Sequence, residues 1–159
     1  GTIDKGYPKR NNGYSFEIGE SAVKKILERH HVTDSVRFVS VCKKDSQEIT
    51  DDDRKILLET CRISKEKKIL ITHGTDTMIE TAKYLAAIHC DKIIILTGSF
   101  LPETFKDSDA EFNIGFALGA LRTMKDANTL IAMNCRIFHH DNVYKDDVSG
   151  DFKELDMKK

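Results

Sequence analysis

Short β-branched runs alternate with longer stretches of helical spacing along most of this chain, and that alternation restricts the possible folds more than any other feature. Ile69-Leu70-Ile71, Ile93-Ile94-Ile95-Leu96 and Thr129-Leu130-Ile131-Ala132-Met133 are brief and almost wholly apolar. Strands buried on both faces of a parallel sheet have this composition, and residues 68–72 are expected to be such a strand. Val36-Arg37-Phe38-Val39-Ser40-Val41 reads as a further strand from its β-branched content. Between the strands, Ala22, Val23, Ile26 and Leu27 recur at helical period within residues 21–31. Thr50 ahead of Asp51, Asp52 and Asp53 supplies an N-cap hydroxyl and negative charge at the positive end of a helix dipole. That helix carries Ile56, Leu57, Thr60, Cys61 and Ile63, and is expected to close on Lys65, Lys67 and Lys68. Residues 77–89 and 109–124 read as two more helices, the first with Met78, Ala82, Leu85, Ala86 and His89 on one side. Arg136-Ile137-Phe138 is expected to return beside residues 129–133 as a hairpin through Asn134-Cys135. Such alternation calls for an α/β three-layer sandwich, with a mostly parallel sheet between helices.

Composition narrows the function. A chain of 159 residues fits one domain and can bury roughly 70% of its unfolded surface. Its 25 Lys and Arg nearly balance 26 Asp and Glu, which leaves no electrostatic footprint for nucleic acid or an anionic membrane. No apolar run approaches the roughly 20 residues of a membrane helix. Cys42, Cys61, Cys90 and Cys135 are scattered, without C-x-x-C or Cys/His ligand spacing. They read as reduced thiols of a cytoplasmic protein, three of them packed as small apolar residues. His30-His31 and His139-His140 are adjacent pairs whose rings should diverge, so structural or surface roles are expected, with no metal and no cofactor. Residues 5–15, rich in glycine, asparagine and charge, read as a mobile loop. The chain opens on Gly1, and a glycine turn bearing a reactive hydroxyl normally has a strand feeding it, so residues ahead of Gly1 are expected.

The chemistry concentrates in two threonine-bearing turns. Gly1-Thr2-Ile3-Asp4 opens the chain, and His73-Gly74-Thr75-Asp76-Thr77 follows the apolar run 69–71. A hydroxyl on a glycine turn at the carboxyl end of a buried strand sits where open α/β sheets hold ligands. Gly74 permits a backbone closed to other residues, and a helix begins just beyond, offering free N–H groups to a carboxylate or oxyanion. Asp76 beside the hydroxyl can orient a base or bind an ammonium. The plain alternative is that Thr75 or Thr77 only N-caps that helix.

Gly1-Thr2-Ile3 and Ile71-Thr72-His73-Gly74-Thr75-Asp76-Thr77-Met78-Ile79-Glu80-Thr81-Ala82 resemble the two signature segments of bacterial-type L-asparaginases, the asparaginase/glutaminase family. Asp45-Ser46-Gln47-Glu48 resembles that family's Ser-Gln substrate segment. Leu96-Thr97-Gly98-Ser99, with Ser108-Asp109 and Asn113, resembles the stretch after its next strand. Ala132-Met133-Asn134, with Asn142-Val143-Tyr144-Lys145, resembles the strand and hairpin that deliver its catalytic lysine. The resemblance implies a flavodoxin-like domain and hydrolysis of L-asparagine, or of glutamine or a related amide, by a threonine nucleophile. It implies that Thr2 attacks, that Thr75, Asp76 and Lys145 form a second cluster, and that Tyr14 assists Thr2. It also implies that Ser46, Gln47, Gly74 and Asp76 hold the substrate. Lys145 lies among Asp141, Asp146 and Asp147, and a solvated charge run is its plain alternative; an ordinary polar loop is that of Ser46-Gln47.

Family members usually carry a second, smaller C-terminal domain, and residues 1–159 are expected to be the N-terminal type of domain alone. A dimer is the expected assembly. The alternative function is a non-catalytic module that binds asparagine or aspartate. An amidase subunit acting on glutamyl-tRNA is disfavoured because nothing basic here would hold RNA.

Overall fold

The computed structural model describes residues 1–8, 15–88 and 91–155. A 3-10 turn, Thr2–Asp4, leads into β1 (Lys5–Gly6), which pairs antiparallel with β2 (Glu17–Ile18). Helices α1 (Val23–Arg29) and α2 (Asp51–Ile63) precede β3 (Lys68–Thr72), α3 (Met78–Ala87), β4 (Ile93–Thr97) and α4 (Ala110–Thr123). The chain then runs through β5 (Asn128–Met133), β6 (Arg136–His139) and a small hairpin of β7 (Tyr144–Lys145) and β8 (Phe152–Lys153).

The main sheet has the order β3-β4-β5-β6. β3, β4 and β5 are parallel, with Thr72 opposite Thr97 and Thr97 opposite Ala132, so their carboxyl ends lie level. β6 returns antiparallel beside β5 through Asn134 and Cys135, both in the left-handed region at φ 51° and 56°. Paired left-handed residues suit the twist of a tight hairpin. The expected mostly parallel sheet is therefore present, in a ladder of four strands that is shorter than a flavodoxin-like order.

Alternation along each strand assigns residues to two faces. Ile94, Leu96, Ile131 and Met133 pack with Leu58 and Cys61 of α2 and with Met78, Ala82 and Leu85 of α3. Ile93, Ile95, Leu130 and Ala132 face the other way, against Ala117 and Leu121 of α4. Ile3, Val23, Ile26 and Leu27 continue that second layer onto Ala110 and Ile114. β4 is buried at every position, as a central strand covered on both faces must be. The three layers follow from this division of side chains.

Five expectations change. Residues 36–41 form no strand: Val36, Phe38 and Val39 are exposed, and a cavity of about 910 Å³ opens between this segment and β3. β-branched residues need a ladder partner to become a strand, and this segment is paired with no described strand, the cavity separating it from β3. For the same reason β3 is not buried on both faces; as the sheet edge beside that cavity, it buries only Ile71. Helix α2 stops at Ile63, before Lys65, Lys67 and Lys68, with Arg62 as the cation of its last turn. Of the cysteines, Cys61 is buried whereas Cys42 and Cys135 are exposed, so three packed thiols are not found; Cys90 lies outside the described residues. The His139 and His140 rings stack at 4.2 Å instead of diverging, because β6 ends there in a turn, and their ligand atoms lie within 4.8 Å of one another and of Asp141. No helix among the described residues is long and apolar enough to cross a membrane.

The β7–β8 hairpin is held on the core by Val143 and Phe152, each 2% exposed. Asn134 ties it further, donating to Asp151 at 3.1 Å and accepting from the Phe152 N–H at 2.9 Å. Replacing Phe152 with Ala should cost about 3–5 kcal/mol through lost transfer energy and a residual cavity. Urea unfolding of wild type and variant checks this, and a change under about 1 kcal/mol would mean that the hairpin is not anchored there.

Candidate active site

Three glycines let the site close up. Gly1 lies so near the 73–74 backbone that an added Cβ would meet the Gly74 nitrogen at 2.3 Å. A Cβ on Gly74 would meet Ser46 Oγ at 2.5 Å, and one on Gly98 would meet the His73 carbonyl oxygen at 2.4 Å. The turns after β3 and β4 and the amino-terminal turn therefore meet backbone to backbone, with the Ser46 side chain packed directly on Gly74. The His73 N–H, donating to the Thr97 carbonyl at 2.9 Å, extends the β3–β4 ladder into this stack. Thr2 follows Gly1, whose backbone lies against His73 and Gly74, and opens the Thr2–Asp4 turn.

Ser46, Gln47 and Glu48 form a 3-10 turn closed by a capping box, in which the Asp45 carboxylate accepts the Gln47 N–H. Burial tends to raise Asp45, but Lys5, 2.5 Å away, and the Gln47 N–H together hold it below the usual carboxylate range. Thr77 occupies the N-cap position of α3, yet makes no side-chain cap; its hydroxyl donates to the Ser46 carbonyl at 2.7 Å. A threonine that could have served the helix instead clamps the Ser46 segment onto the 73–77 turn. Ser46 is 3% exposed and Thr75 7%.

Lys145 arrives from the far end of the chain. Its ammonium donates to Thr75 Oγ1 at 3.0 Å and to Asp76 Oδ1 at 2.7 Å, while Gln47 Nε2 donates to Asp76 Oδ2 at 2.8 Å. Asp76 is held below its usual range by Lys145 first and Gln47 second. Nearby charges find other partners: Asp146 accepts from Lys153, and Asp141 from His139. Lys145 is therefore not one member of a solvated charge run. A cation on a threonine oxygen stabilises that oxygen as charge builds on it, and a lysine that lost its proton there could accept one.

The loop after β4 is ordered by Asp109, which accepts the Phe100 and Leu101 N–H groups and the Asn113 amide. Asn113 also donates to the Gly98 carbonyl at 2.9 Å. Of the residues expected from sequence, Ser46, Gln47, Gly74, Thr75, Asp76 and Lys145 come together, and Thr2 adjoins them through Gly1. Tyr14 lies outside the described residues. Reading the sequence missed His73, Thr81 and Arg54, which lie buried behind the turn. Their signal was a polar residue at a core position of α3, four residues after Thr77.

Fold and site together define an α/β domain whose threonines and lysine gather at the carboxyl edge of a parallel sheet. The model of the asparaginase N-terminal domain matches residues 1–151. L-asparaginase 2 of Escherichia coli (strain K12) is 31% identical over 116 residues, covering 70% of this chain and 33% of that protein. A glutaminase-asparaginase of Acinetobacter glutaminasificans is 40% identical over 80 residues, 48% of this chain and 24% of that protein. Among solved structures, the thermostable L-asparaginase from Thermococcus kodakarensis superposes with a TM-score of 0.81 at 23% identity, over 98% of this chain and 48% of that one. The chain belongs to the asparaginase family, and spans between a quarter and a half of the length of these relatives.

Burial lowers the His73 imidazole from 6.5 to about 4. The folded value lies below the unfolded one, so the unfolded chain takes up the proton first. Its contribution is whole above about pH 6.5 and is lost as pH falls toward 4, at most about 3 kcal/mol. Urea unfolding at pH 7 and pH 4.5 should show this loss in wild type and a smaller one in His73→Gln; parallel losses would remove His73 as the cause. Gly74→Ala should destabilise by about 1–3 kcal/mol by overpacking against Ser46. Thermal unfolding checks it.

Proposed function

We propose that this chain is the N-terminal part of an amidohydrolase that converts L-asparagine, or glutamine or a related amide, to the acid and ammonia. Support comes first from one observation: Lys145 bonds both Thr75 and Asp76 across about 70 residues of sequence. Family membership supplies the substrate class.

In this reading the Thr2 hydroxyl attacks the side-chain carboxamide carbon. The C–N bond breaks, ammonia leaves with the proton that Thr2 gave up, and an ester joins Thr2 to the acyl group. Water then attacks the ester, releasing the carboxylic acid and restoring Thr2. Thr75 relays the proton to and from Lys145, and Asp76 orients both the lysine and the substrate ammonium. Ser46 and Gln47 hold the α-carboxylate. Lysine takes a proton only when neutral, and Lys145 sits in an ion pair with Asp76, so substrate binding must exchange that pair for another.

A binding-only module is the second reading, favoured by the same Lys145–Asp76 pair, which keeps the base occupied. The two separate by assay. Thr2→Val, Thr75→Val and Lys145→Met should each lower kcat/KM for ammonia release from L-asparagine by at least about 10²-fold. Release unchanged in any of them removes that residue from the mechanism. Calorimetric binding of L-aspartate without ammonia release from L-asparagine selects the module.

A further inference from the structure

Behind the threonine turn lies a hydrogen-bond chain that the proposed chemistry does not use. Arg54 Nε donates to Thr81 Oγ1 at 3.2 Å, Thr81 Oγ1 meets His73 Nε2 at 3.0 Å, and His73 Nδ1 meets the Gly74 carbonyl at 2.8 Å. Arg54 and His73 are 7% and 8% exposed, and Thr81 is fully buried.

The ends of the chain fix its direction. Guanidinium only donates, so Thr81 accepts from Arg54. A carbonyl only accepts, so His73 Nδ1 carries the hydrogen. Burial, with the Arg54 cation close by, keeps the imidazole neutral, as its value of about 4 reflects. Nε2 is then an acceptor, and the single Thr81 hydroxyl hydrogen points at it. Arg54 is itself fixed from outside by Asp51 and Glu80, each at 2.9 Å. All three bonds therefore run one way, from Arg54 to the Gly74 oxygen, and each polarises the next.

The Gly74 carbonyl belongs to the same amide as the Thr75 N–H. Gly74, which leads into that amide, is itself closely packed: a Cβ on Gly1 would meet its nitrogen and Cα at 2.3 and 2.6 Å, and a Cβ on Gly74 would meet Ser46 Oγ at 2.5 Å. We infer that Arg54, Thr81 and His73 are positioning residues, which pin the Gly74–Thr75 peptide so that Thr75, the Gly1-Thr2 turn and Ser46 keep their mutual register. This inference rests on the amidohydrolase reading for its effect on rate, though not for the bonding itself. Misplacement of reacting groups by about 1 Å can cost on the order of 10²-fold in rate, so pinning acts on kcat more than on KM.

Thr81→Val keeps the side-chain shape and removes the hydroxyl; Thr81→Ser restores it. For ammonia release from L-asparagine, Thr81→Val should lower kcat by about 10- to 100-fold with KM changed less than about threefold, and Thr81→Ser should recover most of the rate. Nitrogen NMR of His73 at pH 7 should show the Nδ1–H tautomer in wild type and Thr81→Ser, and a mixture in Thr81→Val. A wild-type Nε2–H tautomer or a protonated ring overturns the inference, as does Thr81→Val with unchanged kcat or with a change in KM alone. Wild type that shows the Nδ1–H tautomer but releases no ammonia sinks the amidohydrolase reading and leaves the network standing.

Discussion

The candidate site depends on one steric constraint: position 74 has no room for a side chain. Ser46 occupies the space a Gly74 side chain would need, and Gly1 presses close on the Gly74 nitrogen and Cα. Parallel pairing of β3 with β4 brings the His73 carbonyl equally close to Gly98. Four pieces of chain, distant in sequence, thus meet in direct contact, three through their backbones and the fourth through the Ser46 side chain. Close-packed contacts of this kind transmit displacement rather than absorb it. The hydrogen bonds of Lys145, Gln47 and Thr77 are built on this tightly packed backbone.

Most of the architecture was legible from period alone. β4, β5 and the helices α3 and α4 announce themselves by unbroken apolar runs and by helical spacing, and each lies within a residue or two of its expected bounds. The hairpin through Asn134 and Cys135 was equally readable, although only Asn of the two is a usual left-handed residue. Residues 36–41 misled because their β-branched pattern describes a surface suited to a sheet, whereas strand formation is decided by a neighbour. The cysteines misled for a related reason: burial depends on which face of a turn or segment a small side chain meets, and composition carries no such information.

At the site, Thr75, Asp76 and the Ser46-Gln47 segment were marked by their glycine turn and by the family pattern. Lys145 stood among three aspartates, and only the family pattern at residues 142–145 singled it out; its partner Asp76 is 69 residues away. The joint role of Arg54, Thr81 and His73 was not legible. His73 and Thr81 lie within the family pattern and Arg54 in an ordinary helix, and only the packing of α2 against α3 makes one network of them. Long-range polar contacts between elements have no period to betray them.

The β7–β8 hairpin carries a consequence of its own. Lys145 rides on a two-residue strand paired only with β8, outside the main ladder. Val143 and Phe152 moor it, but few backbone bonds join it to the rest. Segments built this way open at lower free energy than the sheet they rest on. The amine can therefore be withdrawn by local unfolding while the 73–77 turn stays folded. In amide hydrogen exchange the hairpin would then behave as a separate foldon, exchanging well before β4 and β5.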